Sequence, residues 1–70
     1  MCQAVVYMAQ QDQEREVMRD VVLLEPVDGG VRLQAFFEEP VVVKARVSRI
    51  DFLKHTVTLT PLEEGEANGD

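Results

Sequence analysis

Cys2 is the only cysteine in this 70-residue chain, and it directly follows Met1. Its thiol and the terminal nitrogens can therefore close a small chelate ring on one metal ion. If Met1 is removed, the nitrogen donor is the α-amine of Cys2. If Met1 stays, the Cys2 backbone nitrogen and the Met1 amine are the alternative donors. Mixed nitrogen and sulfur donors in a plane favour Ni(II) or Cu(II), so the sequence predicts a metal site at Cys2.

A second interpretation of Cys2 needs no metal. A single cysteine in a small domain is most often a small hydrophobic residue of the core. A closed structural zinc site needs four ligands, and this chain offers one cysteine and one histidine. A two-fold dimer would bring Cys2 of both chains to the symmetry axis and double the donor set. Metal binding at Cys2 therefore predicts a homodimer.

His55 is the other candidate ligand, because imidazole suits nickel. Its position in a predicted loop before the last strand favours an exposed side chain, and Cys2 remains the one residue we assign to the metal site. The chain has no suggested arrangement of serine, histidine and acid and no glycine-rich phosphate loop, and its length leaves little room for a substrate pocket. We therefore expect no enzyme activity.

Short stretches of alternating apolar and polar residues, rich in valine, predict an all-β fold. In the first stretch Cys2, Ala4, Val6 and Met8 share one face. The opposite face is also largely apolar, which is expected of a strand with the core on one side and a partner chain on the other.

Two tight turns divide the following strands. Residues 10–13 (QQDQ) predict a turn, and the second strand is expected from about Glu16 to Glu25, ended by Pro26. Its apolar block 21–24 predicts burial on both faces or a bulge. Residues 28–30 (DGG) predict a hairpin turn. The third strand is expected to point Val31, Leu33 and Ala35 inward.

The second half of the chain predicts one long strand, a turn and a last strand. Phe36 and Phe37 are expected first in the core at one end of a barrel, and second on a dimer or partner surface. A bulge is predicted near Ser48, with Ile50 buried after it. Residues 51–55 predict a short turn or a single helical turn, and Val57 and Leu59 are expected to point inward. Together these elements predict a five-stranded, SH3-like barrel.

Length and charge set further limits. A chain of 70 residues buries only about 60% of its unfolded surface, so a partner chain or a metal is expected to add stability. The formal charge is −6, but the last eight residues carry four acids, and without them the balance is 7 − 9 = −2. We predict a barrel domain over residues 1–62 and a flexible acidic tail over 63–70. The sequence shows no apolar run long enough for a membrane span and no secretion signal, which favours the cytoplasm.

RNA binding needs a positively charged track and exposed aromatic rings. The overall charge is acidic, and the modest basic group of the second half is typical of a solvated strand face. Its members are Lys44, Arg46, Arg49, Lys54 and His55. Nucleic acid is therefore not the expected partner.

Several segments together resemble a known family. They are the opening MCQAVVY (residues 1–7), DVVLLEP (20–26), the turn DGG with VRLQAFFEEP (28–40), and KARVSRIDFLKHTVTL (44–59). The chain resembles the CooT family of small nickel-binding proteins, and the most specific element of the resemblance is Cys2 with the small residue Ala4. The resemblance implies a homodimer of small β-barrels that holds one Ni(II) between two copies of Cys2. It also implies a metallochaperone role in nickel supply to carbon monoxide dehydrogenase or its maturation machinery. The same family has carried the label of predicted RNA-binding protein, so an RNA-binding or protein-interaction module without metal is the alternative.

Overall fold

The computed structural model describes residues 3–62, and these residues form a single β-sheet. Cys2 and the predicted tail over residues 63–70 lie outside the described residues. The strands are β1 Ala4–Gln10, β2 Gln13–Val27, β3 Gly30–Ala35, β4 Val41–Val43, β5 Ala45–Asp51 and β6 Thr56–Pro61. The all-β prediction is confirmed, with no helix among residues 3–62.

The sheet curls into a half-barrel in the order β4-β3-β2-β1-β6-β5. Only Lys44 separates β4 from β5 in the chain, yet these strands lie at opposite ends of the order, so the sheet must bend round to bring them together. They are the two halves of the long bent strand that the sequence predicts, which accounts for six strands instead of five. The backbone N–H of Leu62 donates to the Lys44 carbonyl at 3.2 Å across this corner. One pairing departs from a simple meander, because β1 and β6 run parallel.

The interior of the half-barrel is lined by short aliphatic side chains. The buried residues are Val6, Val21, Val31, Leu33, Ala35, Ala45, Val57 and Leu59. The predicted inward positions of the third and last strands are confirmed, since Leu33 and Leu59 are fully buried. Ala4 and Met8 pack against the same cluster from the face of β1 that holds Val6.

The second strand is longer than predicted and does not end at Pro26. Pro26 pairs with Val31, and the strand continues to Val27 opposite Gly30. Pairs along a hairpin alternate between those that exchange hydrogen bonds and those that do not, so a proline fits where its nitrogen faces away from β3. The predicted irregularity at 21–24 is confirmed as a bulge, with a register shift between Val21 and Leu23.

The long bent strand contains the second predicted bulge. The register of β5 against β6 shifts between Val47 and Arg49, at Ser48, and this shift places Ile50 opposite the buried Val57. The phase change is therefore as predicted, but the burial of Ile50 is wrong, because its side chain is 48% exposed. Ile50 is next to the last residue of β5, and among residues 3–62 β5 is an edge strand with no neighbouring strand on one side.

The expected place of Phe36 and Phe37 in the core is also wrong. Phe36 is 44% and Phe37 is 93% exposed. The chain leaves β3 after Ala35 and turns sharply, with Phe37 at a positive φ of 63°. This turn carries both rings away from the barrel interior.

Candidate metal-binding end of the barrel

The start of β1 is the scaffold nearest to Cys2. Gln3 is the first described residue and follows Cys2 directly. The backbone N–H of Val5 donates to the His55 carbonyl at 3.0 Å, and the parallel pairing with β6 begins there, with Val5 opposite Thr56. The first described residues after Cys2 are therefore held on the barrel by main-chain hydrogen bonds.

The loop between β5 and β6 forms the other wall of this end. One carboxylate oxygen of Asp51, Oδ1, accepts hydrogen bonds from the backbone N–H groups of Leu53 and Lys54, both at 3.0 Å. These bonds shape the tight turn that the sequence predicts at 51–55. His55 ends the turn at a positive φ of 56°, with an exposed side chain as expected.

An exposed apolar surface lies beside the first described residue. Ile50 is 48%, Phe52 81% and Leu53 90% exposed, and we call these three residues the N-terminal apolar surface. A shallow cavity of about 170 Å³ joins part of it to the start of β1. Its lining includes Gln3, Ala4, Ile50, Phe52 and His55. Large apolar side chains grouped at a protein surface are typical of an interaction site.

The described residues by themselves do not assemble a metal centre. Among residues 3–62, no three histidine, cysteine, aspartate or glutamate side chains come close enough to hold an ion. His55 lies beside the strand that leads to Cys2, because its carbonyl binds Val5. The structure thus brings one predicted candidate ligand to this end of the barrel.

The predicted basic group does not form a continuous positive track. Arg49 and Lys54 line an open cavity of about 470 Å³ on the outer face of the sheet, together with Glu14 and Asp51. The Arg49 guanidinium lies 4.0 Å from the Asp51 carboxylate. This face therefore mixes charges of both signs, which does not favour phosphate binding.

A second ion pair lies on β2. Arg19 donates two hydrogen bonds to the Glu16 carboxylate, at 2.7 and 2.9 Å. The hydrogen bonds from Arg19 lower the pKa of Glu16, and the same contact raises the pKa of Arg19 above its ordinary value. Both side chains are exposed, so the pair fixes local charge and adds little stability.

Comparison with known families identifies the chain. The family described as CO dehydrogenase accessory protein CooT matches residues 1–60. The chain belongs to the CooT family. The matched residues include Cys2 and the strands from β1 into β6. The family is described as one of accessory proteins of CO dehydrogenase.

The fold of this CooT chain agrees with a solved relative. The crystal structure of a candidate CooT from Carboxydothermus hydrogenoformans is similar, with a TM-score of 0.81 and 26% sequence identity. The similarity covers 89% of this chain and 100% of the other. No curated protein sequence matches the chain. Within the described part of this CooT, no helix has the length and apolar character that crossing a bilayer requires.

The exposure of Phe36 and Phe37 agrees only with the second of the two positions that the sequence predicts for them. The stacked rings of Phe36 and Phe37 lie outside the core, next to Glu38 and Glu39. The signal in the sequence is the acidic pair and Pro40 directly after the two aromatics, because a stretch that ends in EEP is unsuited to a buried strand.

Proposed function

We propose that this CooT protein binds Ni(II) and delivers it during the maturation of CO dehydrogenase, with one metal held per homodimer through Cys2 of both chains. The observation that carries the proposal is the family match over residues 1–60, which includes the only cysteine of the chain. A thiolate beside terminal nitrogens is a donor set that Ni(II) accepts.

The surroundings of residue 3 support a dimer at this end of the barrel. The N-terminal apolar surface leaves three large side chains in water, and two of them, Ile50 and Phe52, line the cavity at the start of β1. A second copy packed on this surface around a two-fold axis would cover them and place two Cys2 thiols near each other. Dimer formation and metal binding would then depend on each other.

The chemistry is capture and transfer without catalysis. Each thiol must lose its proton to bind nickel, so metal uptake releases protons. A receiving protein removes the metal by ligand exchange, in which its own donors replace the Cys2 thiolates one at a time. We place the protein in the cytoplasm, because a reducing compartment keeps the Cys2 thiol free to bind metal.

An anaerobic titration of untagged protein with Ni(II), followed by near-ultraviolet thiolate-to-nickel absorption, tests this function. The N-terminal mass of the same sample decides which nitrogen is available. We expect saturation at one nickel per two chains and loss of the band in Cys2→Ser. Nickel binding that is as tight in Cys2→Ser as in the parent chain would contradict the proposal and leave Cys2 as a packing residue.

A variant of the apolar surface separates the dimer from the ligand. Phe52→Ser keeps Cys2 and removes the exposed ring of the N-terminal apolar surface. We expect weaker dimerisation in analytical ultracentrifugation, and nickel affinity that falls with it. Val42→Ser is the control, because Val42 is 58% exposed on β4 and does not line the cavity at residue 3. A dimer unaffected by Phe52→Ser would place the interface elsewhere.

A further inference from the structure

The turn between β3 and β4 presents two aromatic rings to solvent. The ring centroids of Phe36 and Phe37 are 4.5 Å apart, with an angle of 16° between the planes. Phe37 is 93% exposed, so almost none of its ring is covered by the barrel. Burying such a ring only on association is a common way in which proteins gain binding energy.

Hydrogen bonds hold this turn in a conformation that aromatic residues seldom adopt. The backbone N–H of Phe36 donates to the Asp20 carbonyl at 3.0 Å, and that of Glu38 donates to the Ala35 carbonyl at 3.1 Å. The Gln34 side-chain amide donates to the Glu38 carbonyl at 3.1 Å. Phe37 between them has a φ of 63°. A bulky residue kept in the left-handed region indicates a display function for the ring, because strain of this kind collects at binding sites.

The surroundings of Phe36 combine apolar and charged side chains, with acids in the majority among the charged ones. Phe36 lines an open cavity of about 310 Å³ with Met18 and Val41, and the charged residues of the lining are Arg19, Asp20, Glu38 and Glu39. Within the described part of the chain, no salt bridge engages either glutamate. The nearby Arg19 is already held by Glu16 and does not neutralise them.

We propose that this acidic aromatic surface, formed by Phe36, Phe37, Glu38 and Glu39, docks the protein that receives the metal. The occupant is a surface of CO dehydrogenase that presents a lysine or arginine beside an apolar side chain. The cation would lie against the exposed Phe37 ring and the two carboxylates, and the apolar side chain would enter the cavity beside Phe36. This inference rests on the proposed function for its partner, and it uses no residue of the metal-binding end.

The charge of the surface selects this occupant over two others. A second copy of the chain packed here around a two-fold axis would bring the acidic pairs of both copies into one interface, and like charges in one interface oppose association. RNA could stack on the rings, but the glutamates would repel its phosphates. A basic and apolar protein surface satisfies both the rings and the acids.

Binding of purified nickel-free CO dehydrogenase to the intact CooT protein, measured by biolayer interferometry, tests the proposal. Phe37→Asn removes the ring and keeps a residue that tolerates positive φ. We expect it to weaken binding by about tenfold or more, while Phe37→Tyr binds like the parent chain. Glu39→Lys should weaken binding mainly at low salt, whereas Glu14→Lys, the same charge change on β2, should have little effect.

Three results would overturn the proposal. The first is that the parent chain does not bind CO dehydrogenase. The second is that Phe37→Asn binds CO dehydrogenase as tightly as the parent chain does. The third is that Phe37→Asn changes the dissociation of the dimer and leaves binding to CO dehydrogenase unchanged. Thermal unfolding of each variant checks that the barrel is intact. The nickel titration is run on the same samples, so that failure of the metal proposal is seen separately. Docking that depends on Phe37 in a chain that binds no nickel would support the surface and reject the metal role.

Discussion

At the residue scale, His55 has a structural role that does not depend on its imidazole. Its carbonyl accepts the hydrogen bond from Val5 that fixes the start of β1, and its backbone has a positive φ of 56°. Asparagine is among the residues that best tolerate this conformation. The position can therefore lose its imidazole without losing its backbone role.

We expect His55→Asn to retain one nickel per two chains and the thiolate-to-nickel band, because our proposed ligands are the Cys2 thiolate and nearby nitrogens. The anaerobic titration is the measurement, with Cys2→Ser as the matched loss of a ligand. A fall in nickel affinity of about tenfold or more in His55→Asn, with an unchanged melting temperature, would add the imidazole to the ligand set.

Gly30, also at the residue scale, has a purely steric role. A Cβ at Gly30 would collide with the carbonyl of Val43 and lie 3.2 Å from the Lys44 Cα, so the β2–β3 hairpin approaches the barrel corner more closely than a side chain allows. The obstructing atoms belong to the backbone and cannot rotate away. We expect Gly30→Ala to lower the free energy of unfolding by about 2–3 kcal/mol.

Urea denaturation of both glycine variants measures this effect. Gly29→Ala is the control, because Gly29 has nothing within 4 Å of an added Cβ but has a φ of 81°. Gly29→Ala should lower the free energy of unfolding by about 1 kcal/mol, because alanine is strained at this positive φ. Equal losses for the two variants would show that the contact with Val43 does not limit the packing of the corner.

At the element scale, periodicity predicts the strands whose alternate residues face the core. Val31, Leu33 and Ala35 are buried as the sequence indicates, and the bulge at Ser48 follows from the change of phase. The exposure of Ile50 could not be predicted, because it depends on where the curled sheet ends. The parallel pairing of β1 with β6 is likewise a property of the whole curled sheet and leaves no local pattern in the sequence.

The candidate site also has features that the sequence predicts and features that depend on the folded sheet. The sequence marks Cys2 as the residue with metal chemistry, and local turn signals place His55 in the loop before β6. Its position beside β1 comes from the β1–β6 pairing, since the Val5 to His55 hydrogen bond joins residues that are 50 positions apart. Hydrophobicity alone predicts a core position for the two aromatics, because it does not report the sharp turn at Phe37.

The β1–β2 hairpin gives a prediction at this scale. Gln11 and Asp12 both have positive φ, 50° and 66°, between the paired residues Gln10 and Gln13. This is the requirement of a type I′ turn, for which Asn-Gly is the preferred sequence. Replacing the two residues by Asn-Gly should raise the free energy of unfolding by about 1 kcal/mol.

Urea denaturation checks this effect, and the same replacement should leave nickel stoichiometry unchanged, because the turn is at the end of β1 away from Cys2. Asp12→Gly alone should give part of the gain. A loss of stability in the double variant would mean that the Gln11 or Asp12 side chain makes a contribution larger than the backbone strain.

At the scale of the whole molecule, the candidate metal-binding end and the acidic aromatic surface are formed by different elements. The metal-binding end uses the start of β1 and the loop before β6, and the acidic aromatic surface uses the turn after β3. In our two proposals, the metal and the receiving protein would therefore contact different residues. Under the proposed function, the protein would dock before the metal leaves, and the transfer step would then need only ligand exchange.

At the same scale, the nickel affinity of the proposed dimer should depend on pH. A cysteine thiol has an ordinary pKa of about 8.5, so near neutral pH each of the two Cys2 thiols must release a proton to bind nickel. Two protons displaced per metal predict that the nickel affinity of the dimer falls by about 100-fold for each pH unit below the thiol pKa, and deprotonated nitrogens would steepen this slope. Competition titrations against a chelator of known affinity, at several pH values between 6 and 8, measure the slope. Cys2→Ser should lose this pH dependence. A single-proton slope that disappears in His55→Asn would mean that imidazole, and not paired thiolates, controls the metal.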